Sequence, residues 1–518
     1  MIAADANDEA PAPTFFGRSR LLLIVTVLVI LIGGIALRLT NLTAPPLDVH
    51  GWRQMRSASI ARGMYYDTSP SADPTMKEQA HYLEVVFGQL EPPLFERLVA
   101  ETYGLLGSEV LWVSRLYSII FWLVASLAVF FLAWKVTSVD GAVTALALQM
   151  FLPFGVTFSR VFMPEPLYIM WMWLGIYVFY RWVETPKWKF AAMAGVFIGI
   201  SILVKVFAAF MLIPGVALYL LAKLGLRQVV KNRQFYLMAG LAGIIPAIYY
   251  IFLIPGASGN YLETWSLPYL HLLKDPAFYL RWWHWLSGLF NPVVLILAAI
   301  SVAFFRKAER WLMVGLWAGF FIFGMILPSL ITSHSYYSLP LEPILSLSLA
   351  GLAAVLLPKI AQSGKAWQVV FLGLALLSAG DAAVAARKDI NGADYAAQAA
   401  FWKDLSNQLP DGKYVGLLAD YNAPMGYYGW RFVAQYPYSY DLDMAKMGGK
   451  EFNFSTQAWE FFKSYTDGMD YFLITELTEL TAQPYLHDIL FDYYPVVKQT
   501  QDYVLFDLRH PLKPIPGS

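Results

Sequence analysis

Long apolar stretches recur along the chain between residues 21 and 386, and short polar loops separate them. A helix that crosses about 30 Å of hydrocarbon needs roughly 20 mostly apolar residues. About eleven stretches approach that length, and each predicts a membrane span. They lie near residues 21–38, 110–133, 140–158, 165–182, 189–204, 206–222, 235–254, 290–305, 310–331, 336–357 and 366–385. The pattern predicts a mainly α-helical, polytopic membrane protein.

Basic residues in the short loops predict how these spans are oriented, because Lys and Arg near span ends are retained in the cytoplasm. With the spans drawn above, alternate loops carry the basic residues, which are Arg18, Arg20, Lys135, Arg181, Lys187, Lys189, Lys223, Arg227, Lys231, Arg233, Arg306, Lys307, Arg310, Lys359 and Lys365. Residues 1–20 are therefore predicted to form a cytoplasmic tail. The prediction is a multi-pass protein of the cell (inner) membrane whose C-terminal region lies outside the cytoplasm.

Two large segments are predicted on the outer side of a membrane domain that spans residues 21–387. The first is a loop over residues 40–108, in which PPLFERLVAETYGLLG is amphipathic and predicts a helix along the interface. The second covers residues 388–518, where strand-length apolar runs occur at 414–420, 471–476 and 503–508 with turn residues between them. This second segment predicts a small extracytoplasmic α/β domain.

The composition agrees with a membrane protein and excludes several chemistries. Hydrophobic residues make up 58% and charged residues 14% of the 518 residues, whereas soluble domains carry roughly 25% charged residues. The formal net charge is zero, so no overall electrostatic attraction favours nucleic acid. The chain has no cysteine, which excludes disulfides, thiolate metal sites and cysteine nucleophiles.

Ionisable and hydroxyl-bearing residues stand at places where the membrane makes them costly, so they are candidate functional residues. The predicted topology puts all of them at the external face, and they are Asp48, His50, Arg53, Glu91, Arg160, Glu165, Lys205, His334, Tyr336 and Tyr337. Structural interpretations stay open for each. Asp48 could pair with Arg53 or Arg56, Arg160 could pair with Glu165, Glu91 could start a helix, and Lys205 could extend to the headgroups.

The same residues resemble the GT-C glycosyltransferases related to protein O-mannosyltransferases and lipid A aminoarabinose transferases. The resemblance covers about residues 20–360, and five phrases carry it in order. They are Asp48 in DVHGWRQMRSASIARG, EPPLFERLVAETYGLLG, Arg160 and Glu165 in SRVFMPEP, Lys205 late in a span, and HSYYSLPLEP. The chain departs from the pattern at Glu91, where aminoarabinose transferases carry lysine and protein mannosyltransferases histidine, and it lacks the paired Asp-Glu of eukaryotic mannosyltransferases.

The resemblance implies a hexosyl or pentosyl transferase that uses a polyprenyl (undecaprenyl, decaprenyl or dolichyl) phosphate sugar and inverts the anomeric centre. Asp48 is expected to accept the proton of the attacking hydroxyl. The leaving phosphate is expected beside Lys205, Arg160, His334, Tyr336 and Tyr337.

Further roles are expected around this centre. Glu165 is expected to orient a substrate, or to join Asp48 at a cation, and Glu91 to hold the interfacial helix against Arg53, with His50 in support. A divalent cation is possible, but no ligand spacing in the sequence requires one.

Other functions fit parts of the pattern. A transporter or flippase of lipid-linked sugars would also have many spans and membrane charges, and a ligase could use a diphosphate-linked oligosaccharide. The acceptor, whether lipid, glycan or protein, is expected to be chosen by the outer domain. There Tyr427, Tyr428 and Trp430 could stack on sugars or pack in a core.

Overall fold

The computed structural model describes residues 14–70, 72–88, 91–253 and 259–516. Residues 1–13 of the predicted cytoplasmic tail lie outside these ranges. In the described residues, a helical bundle is followed by a small domain built on a mixed sheet. This arrangement confirms the predicted fold class.

The loop over residues 40–108, named the first external loop after its predicted orientation, is more helical than its sequence predicts. It follows α1 (Arg20–Arg38), and in its described residues it folds into α2 (Gly51–Thr68), α3 (Pro74–Phe87) and α4 (Leu94–Leu106). Only α4 is predicted from the amphipathic pattern. Helix α2 is polar by composition yet largely buried, because other parts of the chain cover it. Its sequence therefore shows none of the one-sided apolar periodicity that identifies a surface helix.

The remaining helices of the bundle are connected mostly by short turns. They are α5 (Trp112–Val136), α6 (Val139–Phe151), α7 (Pro153–Phe158), α8 (Glu165–Glu184), α9 (Trp188–Val204), α10 (Ala208–Lys223), α11 (Leu226–Val229), α12 (Arg233–Ala247), α13 (Gly259–Trp265), α14 (Pro276–Phe290), α15 (Pro292–Ser301), α16 (Lys307–Ile326), α17 (Pro328–Ile331), α18 (Leu341–Gln362) and α19 (Lys365–Ile390). A π-helical turn, Ile248–Leu253, extends α12, and a 3-10 turn, Ser335–Ser338, precedes α18.

Six helices in the described part of the chain are long and apolar enough to cross a membrane, or seven if α14 and the segment Pro292–Phe304, which meet at 97°, form one bent span. Shorter apolar helices include α6, α9 and α10. The number of about eleven spans stays a prediction. One predicted span, 140–158, is broken into α6 and α7, because Pro153 has no backbone N–H to continue the helical hydrogen bonding.

Small residues allow α10 and α16 to pack closely. A Cβ atom added to Gly315 of α16 would lie 2.4 Å from the carbonyl oxygen of Pro214 on α10. One turn further on, a Cβ at Gly319 would lie 2.3 Å from the carbonyl oxygen of Phe210. Glycines at such contacts let the two backbones approach, which is how membrane helices commonly associate.

The C-terminal domain contains a sheet whose described strands run in the order β2-β1-β3-β5-β4. Strands β1, β2 and β3 are parallel, and β5 pairs antiparallel with β3 and β4. The strands are β1 (Tyr414–Leu417), β2 (Val433–Gln435), β3 (Tyr471–Ile474), β4 (Val496–Gln499) and β5 (Val504–Asp507). The helices are α20 (Tyr395–Gln408), α21 (Ala423–Tyr428), α22 (Ser439–Met447), α23 (Phe454–Thr466), α24 (Leu477–Ala482) and α25 (Pro484–Tyr493).

The three predicted strands correspond to β1, β3 and β5, which confirms them, whereas β2 and β4 were not predicted. Strand β2 has three residues, and every residue of β4 is exposed. A short strand or an exposed edge strand lacks the buried apolar run from which strands are recognised.

Arg62 joins the first external loop to the C-terminal domain. Its guanidinium pairs with Glu109 at 2.9 Å and donates to the carbonyl oxygen of Tyr427 at 2.6 Å. The guanidinium carbon lies 3.7 Å from the ring centre of Tyr427 and 4.1 Å from that of Trp430. These contacts hold the loop and the domain together on one side of the bundle. Tyr427 is 3% exposed, so it packs in this interface.

Candidate active site

The break between α9 and α10 places Lys205 inside the protein. Its backbone is extended (φ −151°, ψ 110°), so it belongs to neither helix. The residue is 3% exposed. Its ammonium contacts the carboxylate of Glu165, the first residue of α8, and lies 3.4 Å from Oε1 of Glu91. Lys205 therefore does not reach out to lipid headgroups, and it forms the centre of a buried ionic cluster.

Arg53 of α2 completes this cluster from the first external loop. Its Nη2 lies 2.9 Å from Oε1 of Glu91, so Glu91 lies between Arg53 and Lys205. Burial opposes ionisation of both groups, but the neighbouring opposite charges outweigh it. They raise the pKa of the Arg53 guanidinium above its ordinary value. They lower the pKa of the Glu91 carboxyl below its ordinary value. The cluster therefore contains compensated charges.

Tyrosines line one side of the Lys205 ammonium. The ring centres of Tyr336 and Tyr337 lie 5.1 and 5.5 Å from Nζ. The Tyr337 hydroxyl is 2.6 Å from that of Tyr261 on α13. Tyr261 was not predicted as a site residue, because its segment carries no motif and its position depends on the folding of the surrounding helices. The ammonium of Lys205 thus lies against two aromatic rings, and each of the three tyrosines carries a hydroxyl that can donate a hydrogen bond.

Two histidines lie side by side next to these tyrosines. The rings of His50 and His334 are nearly parallel with centres 6.2 Å apart, and His50 Nε2 lies 3.0 Å from Ser335 Oγ. Burial, reinforced by His334 and Arg53, lowers the pKa of His50 to about 4. Burial, reinforced by Arg53 and Lys205, also lowers the pKa of His334 to about 4. Both imidazoles are therefore neutral at pH 7, and His334 offers a hydrogen bond there without a positive charge.

Asp48 lies at the start of the first external loop, and its partner comes from the bundle. Its Oδ2 is 2.9 Å from Nη2 of Arg115, near the start of α5, and Gln54 Nε2 donates to Oδ1 at 3.0 Å. The Asp48 and Arg115 side chains are only 5% and 2% exposed. Arg115 was missed in the sequence, although an arginine inside a predicted span is a recognisable signal.

Arg160 lies on the Asp48 side of the site. Its Nη2 donates to the carbonyl oxygens of Thr40 and Asn41, and Arg115 also donates to Asn41. Within the described ranges, no hydrogen bond or ion pair joins Arg160 to Lys205 or Glu165. The residues grouped by the prediction are thus divided between two neighbouring sets. The Lys205 cluster has Arg53, Glu91, Glu165 and the tyrosines, and the Asp48 set has Arg115, Gln54 and Arg160.

A cavity of about 710 Å³ opens beside Asp48. One part of its wall is formed by Asp48, Val49, Phe154, Thr157 and Phe158. The end of α19, the following turn and the first residue of α20 form the rest, with Lys388, Asp389, Asn391, Gly392, Ala393 and Tyr395. His50 connects the two sets, because its backbone follows Asp48 and its ring contacts His334 and Tyr336. A hydroxyl compound in this cavity would meet a carboxylate.

Side chains that are close enough to share a metal ion lie outside the Lys205 cluster and the Asp48 set. Among the described residues, the one trio of acidic and histidine side chains close enough to share an ion is Asp67, His81 and Glu84, on α2 and α3. Asp67 and His81 are exposed, and the trio has no hydrogen bond or ion pair with the predicted site residues in the described ranges. In the Lys205 cluster, the carboxylates of Glu91 and Glu165 face cations.

Comparisons with known proteins agree with the fold and with part of the sequence. Residues 91–251 match the family model described as dolichyl-phosphate-mannose-protein mannosyltransferase. No curated protein sequence matches the chain significantly.

The fold is similar to three solved structures. ArnT from Cupriavidus metallidurans bound to undecaprenyl phosphate aligns with a TM-score of 0.53 and 15% identity, over 94% of this chain and 97% of that chain. The Archaeoglobus fulgidus oligosaccharyltransferase aligns with a TM-score of 0.53 and 13% identity, over 88% and 70%. Arabinofuranosyltransferase AftD from Mycobacteria aligns with a TM-score of 0.50 and 15% identity, over 95% and 40%.

Proposed function

We propose that the chain is a membrane glycosyltransferase of the GT-C superfamily, and that it transfers a sugar from a polyprenyl phosphate to an acceptor hydroxyl outside the cytoplasm. The observation that carries this proposal is the burial of Lys205 and Arg53 against the ring of Tyr336. His50 contacts both Tyr336 and Phe158. Phe158 lies with Asp48 in the wall of one cavity. The donor class is supported by the similar fold of ArnT, which was solved with undecaprenyl phosphate.

The leaving phosphate is assigned to the Lys205 cluster. In the low dielectric of a buried site, an ammonium and preorganised hydroxyl groups stabilise developing negative charge more strongly than they would in water. Lys205 contacts Glu165 and Glu91, so binding a phosphate requires it to exchange a carboxylate for a phosphate oxygen. Tyr336, Tyr337 and neutral His334 then supply hydrogen bonds. Before the phosphate binds, the carboxylates of Glu165 and Glu91 neutralise the charge of Lys205.

Asp48 is assigned as the general base. The acceptor oxygen forms a bond to the anomeric carbon as the bond from that carbon to the phosphate oxygen breaks, and the hydroxyl proton passes to the Asp48 carboxylate. Polyprenyl phosphate leaves with the bonding electrons and needs no protonation. A single displacement of this kind inverts the anomeric centre. Arg115 Nη2, 2.9 Å from Asp48 Oδ2, orients the carboxylate.

Arg160 is assigned to the Asp48 side. It donates to the carbonyls of Thr40 and Asn41, which supports a role in holding the start of the first external loop. This differs from the sequence expectation of a place beside the leaving phosphate. Glu165 is assigned a positioning role, because its carboxylate contacts the Lys205 ammonium directly.

Two other functions make different predictions for one experiment. The purified chain in lipid nanodiscs is given radiolabelled polyprenyl-phosphate sugars and envelope material from cells that lack the gene. The proposed transferase releases free polyprenyl phosphate and labels the acceptor, and D48N does both at least about a hundredfold more slowly. A flippase moves the intact sugar-linked lipid across the membrane and releases no free polyprenyl phosphate. An oligosaccharide ligase consumes only diphosphate-linked donors. The proposal is overturned if the folded wild-type chain releases no polyprenyl phosphate from monophosphate-linked sugar donors.

A further inference from the structure

We propose that a groove between α3 and the C-terminal sheet is a second carbohydrate site, which binds a neutral stretch of the acceptor's glycan away from the reacting hydroxyl. The groove has a volume of about 470 Å³, within the range of ligand sites. It shares no lining residue with the cavity beside Asp48. The inference rests on the proposed function for the identity of the glycan as acceptor.

Aromatic rings form the apolar part of the groove. Tyr82 of α3 is 51% exposed, and its ring stands at 87° to that of Phe432 with centres 6.1 Å apart. Trp430 and Phe432 are partly buried and come from the segment between α21 and β2. An exposed flat ring such as that of Tyr82 suits the apolar face of a sugar ring. An aromatic side chain also has few rotatable bonds to immobilise on binding.

Polar side chains of both signs stand beside these rings. Asp411 is fully exposed, and Arg431 lies 3.8 Å from it while donating to the carbonyl oxygen of Pro410. Lys413 and Gln79 line the same groove. A sugar hydroxyl can donate to the carboxylate and accept from the cations. Because Asp411 pairs with Arg431, the lining offers hydrogen-bond donors and acceptors together, which suits a neutral polyhydroxyl compound.

Trp430 has a backbone conformation that bulky residues seldom adopt. Its φ is +53°, in the left-handed region, which is strained for a residue other than glycine. The fold maintains it: Gln79 Nε2 donates to the Trp430 carbonyl oxygen, and the Arg62 guanidinium lies over the indole. A strained residue that the surroundings hold in a solvent-facing groove is typical of a ligand site.

The test is equilibrium binding to the full chain in nanodiscs. The probe is the neutral envelope glycan of the gene-deletion strain, cut into size-sorted fragments and fluorescently labelled, with fluorescence polarisation as the readout. We expect the wild type to bind, and Y82A and F432L each to weaken binding about five- to tenfold. Y465A removes a part-exposed tyrosine of the same domain outside the groove, and it should bind as the wild type does. Size-exclusion profiles and melting temperatures show that each variant is folded.

The outcomes separate this inference from the proposed function. Failure of the wild type to bind any fragment, or equal binding by Y82A, F432L and Y465A, overturns the groove assignment even where transfer is measured. D48N should bind the fragments normally, because the groove does not share its cavity. Fragment binding that depends on Tyr82 and Phe432, in a chain that releases no polyprenyl phosphate, supports the groove and contradicts the transferase proposal.

Discussion

The carboxylate of Asp48 pairs with the guanidinium of Arg115 at 2.9 Å, across 67 residues of sequence. Neither Arg53 nor Arg56, the basic residues closest to Asp48 along its own loop, makes this contact in the described structure. Arg53 pairs with Glu91, and Arg56 donates to the carbonyl oxygen of Gly88. The pairing ties the first external loop to the start of α5 and sets the position of the proposed base.

Replacing Asp48 by asparagine tests its chemical role. D48N keeps the size and can still accept the hydrogen bond from Gln54, but it cannot take a proton at neutral pH. We expect transfer to fall by about 10²- to 10⁴-fold, the usual contribution of a general base. Initial rates of polyprenyl phosphate release measure this. Wild-type rates in a folded D48N protein would remove Asp48 from the mechanism.

Replacing Lys205 by methionine separates charge compensation from phosphate binding. K205M leaves the buried carboxylate of Glu165 without its partner, which should destabilise the protein by about 3–5 kcal/mol. The double variant K205M/E165Q removes both charges and should recover much of the melting temperature. Donor use should stay impaired in both, because the phosphate lacks its ammonium. Normal KM for the donor in the double variant would contradict the assignment of Lys205 to the phosphate.

The histidine pair predicts a pH dependence of stability. Because the pKa of His50 and that of His334 are lowered in the folded protein to about 4, from an unfolded value near 6.5, the unfolded chain binds more protons at mildly acidic pH. Their contribution to stability is therefore complete above pH 6.5 and is lost as the pH falls through 4. We expect the melting temperature to fall over this interval, measured by thermal unfolding in nanodiscs.

Replacing His334 by glutamine tests its share of this pH dependence of the melting temperature. H334Q removes one of the titrating groups, so the fall in melting temperature between pH 6.5 and 4 should become shallower. H271Q, at an exposed histidine, serves as the matched control and should retain the wild-type slope. Identical slopes for all three proteins would contradict the lowered pKa of His334.

The contacts of Arg62 predict that it fastens the C-terminal domain to the first external loop. R62M removes the cation that pairs with Glu109, which keeps its hydrogen bond from the Tyr427 hydroxyl. It also removes the hydrogen bond to the Tyr427 carbonyl oxygen, so we expect a loss of about 3–5 kcal/mol. Limited proteolysis should then cleave more rapidly near the junction of the two segments. R97M disrupts an exposed pair with Glu101 and should cost no more than about 0.5 kcal/mol. Similar proteolysis of R62M and R97M would show that the Arg62 contacts do not hold the domain.

Glycine packing between α10 and α16 gives a further prediction. G315A puts a methyl group 2.4 Å from the Pro214 carbonyl oxygen and should destabilise the bundle by about 1–3 kcal/mol. G240A lies in α12 with no atom within 4 Å of the new methyl group, so it should be neutral or stabilise by up to about 1 kcal/mol. Melting temperatures of the two variants decide this, and a stable G315A protein would contradict the close packing.

Local patterns were sufficient for much of the architecture. Apolar runs predicted the membrane helices, an amphipathic stretch predicted α4, and buried runs predicted β1, β3 and β5, because each pattern depends on neighbours within a few residues. The order of the phrases around Asp48, Glu165, Lys205 and Tyr337 indicated a resemblance to the GT-C glycosyltransferases, and known GT-C structures have a similar fold. Sequence reasoning failed where burial comes from distant segments, as in α2, or where a strand is short or exposed, as in β2 and β4.

Only the tertiary structure decided which of the candidate residues meet. It paired Asp48 with Arg115, placed Arg160 away from Lys205, brought Tyr261 to Tyr337, and kept His50 and His334 neutral through burial. The physical reason is that hydrophobic periodicity follows from the local chain. The partner and charge state of a buried polar group depend instead on the helices that surround it, which lie far away in sequence.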